Sequence, residues 1–326
     1  MLDAQASQLA QVVRGGFVES VHTGHVAVVA QDGGVAFAAG DPDAEILPRS
    51  SIKPLQALAS LTAGAPLAAE TLALACGSHA GEPFHVAAVD QILAKAGLDR
   101  SALQNVAAWP QQEQARLELV RAGFEPEPAF MNCSGKHAAM LAACTANDWP
   151  TDSYLDPEHP LQRYVLDTVA GSTSEPIHSV VVDGCGAPCP GMTLASLARS
   201  VSRLVVAAEG SAERIVADAI RDYPACVGGT RHANTRFMQL VPGSVVKGGA
   251  EGVLVAALDD GTAVAVKCAD GGSRATTAVA VAALRMVGAD LPAIPELELV
   301  PVLGGGQHVG RVVVTVGEPA TDADLR

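Results

Sequence analysis

The chain has 326 residues, 49% hydrophobic, 17% charged and 3% aromatic, enough to bury a large core built from Ala, Val and Leu rather than from rings. Its formal net charge of −14 argues against nucleic acid or an anionic membrane surface as a partner.

In chain order, the opening MLDAQASQLAQVVRGG lacks the basic start and apolar stretch of a signal peptide. GHVAVVAQDGGVAFAAG, Gly24 to Gly40, is two strand-type runs joined by Asp32-Gly33-Gly34, a hairpin. PRSSIKPLQALASL begins a helix near residues 50 to 53, because Pro54 is tolerated only in a first turn, and the helix runs to about Thr62. Residues from about 66 to 175 are expected to be mostly helical, with apolar spacing of that period in SGKHAAMLAACTAND and HPLQRYVLDTVAG.

IHSVVVDGC is a short apolar strand, and MTLASLARSVSRLVVAAEG returns to helix. EGVLVAAL and TAVAVKCAD form a second hairpin, followed by the helix SRATTAVAVAALRMVG and a last strand, RVVVTVG. No stretch approaches the roughly 18 uninterrupted apolar residues that span a bilayer. Strands thus gather at both ends of the chain and helices fill the middle. The expected fold is α/β of the α+β type, one antiparallel sheet from both chain ends covered by helices, in a single domain over residues 1–326.

Residues three apart share a helical face, so Ser50 and Lys53 bring a hydroxyl and an amine together at a helix mouth that favours developing negative charge. A base at Lys53 requires lowering its pKa from about 10.4 toward neutrality, by burial and a second cation. The plain alternative is a capping serine followed by a solvated lysine. Ser78 and His79 lie in a glycine-flanked polar turn, CGSHAGE, where Ser78 either joins a site or caps the next helix. Lys247 ends an apolar run before Gly248 and Gly249, either beside a ligand or at a strand edge.

The seven cysteines are odd in number and scattered, which fits reduced thiols and a cytoplasmic location. MNCSGKHAAML places Cys133, Lys136 and His137 within one helical turn, and VVDGCGAPCPGM holds Asp183, Cys185 and Cys189. Three readings stand side by side: thiolates and a nitrogen holding Zn²⁺, a Cys133–His137 nucleophile and base, or buried cysteines acting as small hydrophobes.

Five segments in order, RGGFVESVH, RSSIKPLQAL, CGSHAGE, NCSGKHAAML and DGCGAPCPGM, with KGGAEG after them, resemble the Rhizobium etli-type (thermolabile, class 3) L-asparaginases over about residues 14 to 250. The resemblance implies a fold like that of serine β-lactamases and glutaminases, hydrolysis of L-asparagine to L-aspartate and ammonia, and a homodimer. It implies two Ser–Lys tandems, Ser50 with Lys53 and Ser78 with Lys247, in which Ser50 is the nucleophile and Lys53 its base. It further implies zinc held by Cys133, Lys136 and Cys185, and substrate binding by Arg49, Lys136, His137 and Asp183. His79 and Cys189 are expected to be supporting residues. The alternatives are a glutaminase or penicillin-recognising enzyme, a non-catalytic binding protein on the same fold, and a Cys133 thiol hydrolase. The penicillin-recognising group has a hydroxyl where Gly248 follows Lys247 here.

Overall fold

The computed structural model describes residues 5–317. The early elements are β1 (Ser7–Arg14), β2 (Phe17–Val29), β3 (Val35–Ala39) and β4 (Glu45–Ile46), a 3-10 turn over Arg49–Ile52, and helices α1 (Lys53–Thr62), α2 (Ala69–Ala75), α3 (Pro83–Lys95), α4 (Glu113–Arg121), α5 (Ser134–Ala146) and α6 (Pro160–Thr173). Then come β5 (Val180–Val182), β6 (Pro188–Pro190), β7 (Met192–Thr193), α7 (Leu194–Val206), α8 (Ala212–Asp222), α9 (Pro224–Gly228) and α10 (Ala233–Leu240). The chain closes through β8 (Val245–Gly249), β9 (Val253–Ala257), β10 (Ala263–Cys268), α11 (Thr276–Met286), α12 (Pro295–Glu298), β11 (Pro301–Gly304) and β12 (Gln307–Val314).

These elements divide into two compact units. The first runs up to Ser51 and adds Met192–Val206 and the chain from Leu240 onward. Its sheet follows the order β11-β12-β1-β2-β10-β9-β8, with β3 also on β2, and every pairing is antiparallel. Both chain ends therefore build one antiparallel sheet, as their hairpins predict. The length of β2 makes this workable: Phe17–Gly24 pair with β1, while Gly24–Val29 pair with β10 and Val26–Val29 with β3. Strands β9 and β10 are buried at every residue, so they are covered on both faces. Helices α7 and α11 both pack against β2, β9 and β10.

The second unit comprises Ile52–Gly191 and Ala207–Gln239 and is almost wholly helical. Helix α1 is its axis, buried from Lys53 through Ser60 and packed against α2, α5, α6 and α8. Helix α5 is buried from Ser134 through Cys144, and its Ala and Gly residues allow close approach: a Cβ on Gly135 would lie 2.7 Å from Leu74 Cγ. In contrast, Gly171 on α6 is exposed, and a Cβ there would meet nothing within 4 Å. Gly171→Ala is expected to stabilise the protein by about 0.5–1 kcal/mol, read as a higher denaturant midpoint.

The apolar strand read from IHSVVVDGC is present as β5 but is not core. Val180, Val181 and Val182 are all exposed, Val182 at 75%, because β5 pairs only with β6 in a two-stranded sheet. Among the described residues, no helix is long and apolar enough to cross a membrane.

Candidate active site

In the helical unit, Lys53 opens α1 with Pro54 behind it in the first turn, and its side chain is fully buried. Lys53 Nζ donates to Gly77 O at 2.6 Å and Asn132 O at 3.4 Å, and lies 2.9 Å from Ser78 Oγ. Burial pushes this amine below its ordinary pKa, and the Lys136 cation adds to the effect while the Cys133 and Cys185 sulfurs oppose it. The two carbonyls can only accept, whereas the Ser78 hydroxyl can either accept or donate. Lysine and serine meet in one hydrogen bond.

Beside them stands the cluster of Cys133, Lys136 and Cys185. Lys136 Nζ donates to Cys185 Sγ at 3.1 Å, and Cys185 hydrogen-bonds Cys133 within a buried group that includes Ala187. A hydrogen bond from Cys185, against the effect of burial, and the Lys53 and Lys136 cations hold the Cys133 thiol well below its ordinary pKa. Burial works against the charge on Lys136, yet the two sulfurs keep its amine above the usual value. Two lysines of one cluster are thus driven in opposite directions, one toward a base and one toward a fixed cation. Ordinary buried thiols behave otherwise here: burial pushes Cys144 and Cys268 up to about 12 and Cys226 up to about 11. None of the seven cysteines is joined in a disulfide.

His137 and Asp183 belong to the same unit. His137 is fully buried, with Nδ1 2.8 Å from the Tyr154 hydroxyl, and Asp183 Oδ2 accepts from Cys185 Sγ at 3.7 Å. His79 is buried: its Nδ1 accepts from Gly81 N and its Nε2 lies 2.8 Å from Ser134 Oγ. Burial, with His85 and Lys53 nearby, keeps its imidazole neutral. Cys189 is buried in β6, opposite Val181. Among the described residues, no group of three or more His, Cys, Asp or Glu side chains is placed to hold a metal ion. The cluster offers two thiols, with Lys136 as its third donor.

In the sheet unit, Ser50 sits on the 3-10 turn Arg49–Ile52, and Arg49 adopts a left-handed φ of 51°. Ser51 Oγ bonds back to Pro48 O at 2.6 Å, tightening the turn. Lys247 is buried in β8, and its Nζ donates to Gly248 O at 2.6 Å. The second glycine after it, Gly249, has a local reason. A Cβ on Gly249 would stand 2.8 Å from Pro48 O and 3.2 and 3.3 Å from the Ser51 and Ser50 amide nitrogens. Strand β8 therefore ends flush against the turn that carries Ser50. Arg49 Nη1 reaches Glu251 Oε1 at 3.9 Å on the far side of that strand end.

The family model for L-asparaginase II matches residues 10–314. The chain belongs to the L-asparaginase II family. Membership makes it a hydrolase. Among curated proteins, none matches the chain significantly. Solved structures similar to it include a β-lactamase from Mycobacterium bovis, 16% identical with a TM-score of 0.47 over 81% of this chain and 95% of that one. Another is Mglu in its native form, 16% identical with a TM-score of 0.42 over 81% of this chain and 62% of that one. A β-lactamase from Desulfarculus baarsii is 18% identical with a TM-score of 0.33 over 82% and 92%.

The candidate residues are held by others that spacing did not single out. Asn132 and Gly77 hold Lys53 through their carbonyls, and Tyr154 holds His137. The motifs CGSHAGE and MNCSGKH contain the first two, but a backbone carbonyl has no sequence signature. Tyr154 lies outside every quoted motif.

Proposed function

We propose that this protein hydrolyses L-asparagine to L-aspartate and ammonia as a class 3, Rhizobium etli-type asparaginase. The observation that carries the reading is the Lys53 amine, buried, lowered in pKa and 2.9 Å from the Ser78 hydroxyl, three residues after Ser50 along the turn that opens α1. Lys53 Nζ takes the proton of Ser50 Oγ, and Oγ bonds to the side-chain amide carbon of asparagine. Backbone N–H groups, that of Ser50 among them, donate to the oxyanion. The carbon–nitrogen bond breaks as the nitrogen recovers a proton by way of Lys53 and Ser78, and ammonia leaves. Water then gives a proton to Lys53 and attacks the β-aspartyl ester, releasing aspartate and returning Ser50 to its hydroxyl form. Lys247 supports the second tandem, Asp183 takes the substrate's α-ammonium, and Arg49 and His137 take its α-carboxylate.

Ser50, Arg49 and Lys247 belong to one unit and Lys53, Ser78, His137 and Asp183 to the other, so the reading treats residues 1–326 as a single catalytic domain. A homodimer in the cytoplasm is part of the same proposal. The converging sulfurs of Cys133 and Cys185 and the amine of Lys136 fit a zinc ion once Lys136 gives up its proton. Zn²⁺ held there would supply positive charge to orient the amino-acid end of the substrate.

The test compares ammonia release from asparagine and from glutamine, and turnover of a β-lactam reporter, each with and without chelator. Asparagine is expected to exceed glutamine by about tenfold or more, the discrimination one extra methylene gives. Faster release from glutamine makes the protein a glutaminase, and turnover of the reporter alone removes the amidohydrolase reading. A drop in asparagine hydrolysis with chelator, restored by zinc, supports the ligand set.

A further inference from the structure

Tyr154 lies in the loop before α6, fully buried, with its backbone held by Gln162 Nε2 donating to Tyr154 O at 2.7 Å. Two nitrogens face its hydroxyl. The Gln104 backbone N–H donates to it at 3.2 Å, and His137 Nδ1 lies 2.8 Å away. A phenol has one hydrogen to give. With the oxygen already accepting from Gln104, that hydrogen goes to His137 Nδ1; the opposite arrangement would bury an O–H with no acceptor. Nδ1 is then the bare nitrogen of the ring, and the proton of His137 sits on Nε2. Nε2 is itself buried and has no hydrogen-bond partner among the described residues.

We propose that Tyr154, held by the Gln104 amide, is a positioning residue that fixes His137 in the Nε2–H tautomer, so that Nε2 donates to a carboxylate oxygen of the bound amino acid. The identity of that acceptor rests on the proposed function above; the tautomer does not. A donor left unpaired by folding is completed when a ligand brings an acceptor. The opposite tautomer would present a bare Nε2, suited to a metal ion or to a general base rather than to a carboxylate.

The tautomer is read by ¹⁵N NMR on the full chain labelled at its nine histidines, with His137 assigned by comparison with His137→Gln. The expected wild-type signature is protonation at Nε2 and a bare, hydrogen-bonded Nδ1. Tyr154→Phe is expected to turn this into a mixture of tautomers and to raise KM for asparagine about tenfold, with kcat changed by less than about twofold. With an amide analogue lacking the α-carboxylate, the same variant is expected to leave KM unchanged, which a general loosening of the fold would not do. Wild-type protonation at Nδ1 overturns the proposal even if Tyr154→Phe fails to fold. A tautomer that shifts in Tyr154→Phe without any change in KM overturns the carboxylate contact. Should asparagine prove not to be the substrate, the wild-type signature still decides the tautomer.

Discussion

Replacing Lys53 by methionine is expected to lower kcat for ammonia release by about 10³-fold or more while the protein stays folded. Methionine keeps the length and apolar stem that fill the buried start of α1, so packing against α2, α5, α6 and α8 survives. What is lost is the one basic atom that Gly77 O, Asn132 O and Ser78 Oγ surround. Ser50→Ala is expected to show a loss of the same order, because the proposed nucleophile and its base would act as a unit. For the same reason the Ser50→Ala/Lys53→Met double variant is expected to be no slower than either single one. Ser78→Ala keeps the primary base and is expected to cost less, on the order of 10–100-fold. Steady-state ammonia assays, with circular dichroism to confirm folding, decide this. Near-full turnover in Lys53→Met would remove the amine from the chemistry. Losses that multiply in the double variant would mean that the two residues act in separate steps.

The parts of this arrangement that were legible in the sequence are those written locally. Pro54 marks the start of α1, Asp32-Gly33-Gly34 the β2–β3 hairpin, and the run Ala263–Cys268 a buried strand. Strand β1 was not read from the sequence, for a physical reason. Its register shifts between Gln8 and Ala10 and again between Val12 and Val13, so buried Leu9, Ala10, Val12 and Val13 do not alternate with polar residues. The β5 valines misled in the other direction, since an apolar run carries no record of how many strands will cover it. Among the candidate residues, the pairs Ser50 with Lys53 and Cys133 with Lys136 were visible because each lies three positions apart. The hold on Lys53 was not, since it comes from carbonyls 24 and 79 residues away. Nor was Tyr154, which meets Gln104 fifty positions away in the chain. The charge pattern belongs to this hidden layer too. Only proximity reveals that Lys53 is pushed down while Lys136 is held up.

That hidden layer can be struck without touching a side chain. Gly77→Ala is expected to destabilise the protein by about 1–3 kcal/mol and also to lower kcat, by about 10²-fold. The added Cβ would stand 2.7 Å from Cys226 O and 3.0 Å from both Leu74 O and Val227 O, three backbone oxygens that cannot swing aside as a flexible side chain would. The segment must therefore move as a piece. It carries the Gly77 carbonyl that accepts from Lys53 at 2.6 Å and the Ser78 hydroxyl next to it, whose backbone N–H is itself anchored to Val227 O at 2.8 Å. A displacement of a few tenths of an ångström thus reaches the amine through both the Gly77 carbonyl and the Ser78 hydroxyl. Gly171→Ala is the matched control, the same change where no atom stands in the way. Denaturant melts and kcat measured on both variants separate the effects. If Gly77→Ala is destabilised but turns over normally, the close fit at this turn serves the fold alone, and the position of the Lys53 amine tolerates more freedom than its hydrogen bonds imply.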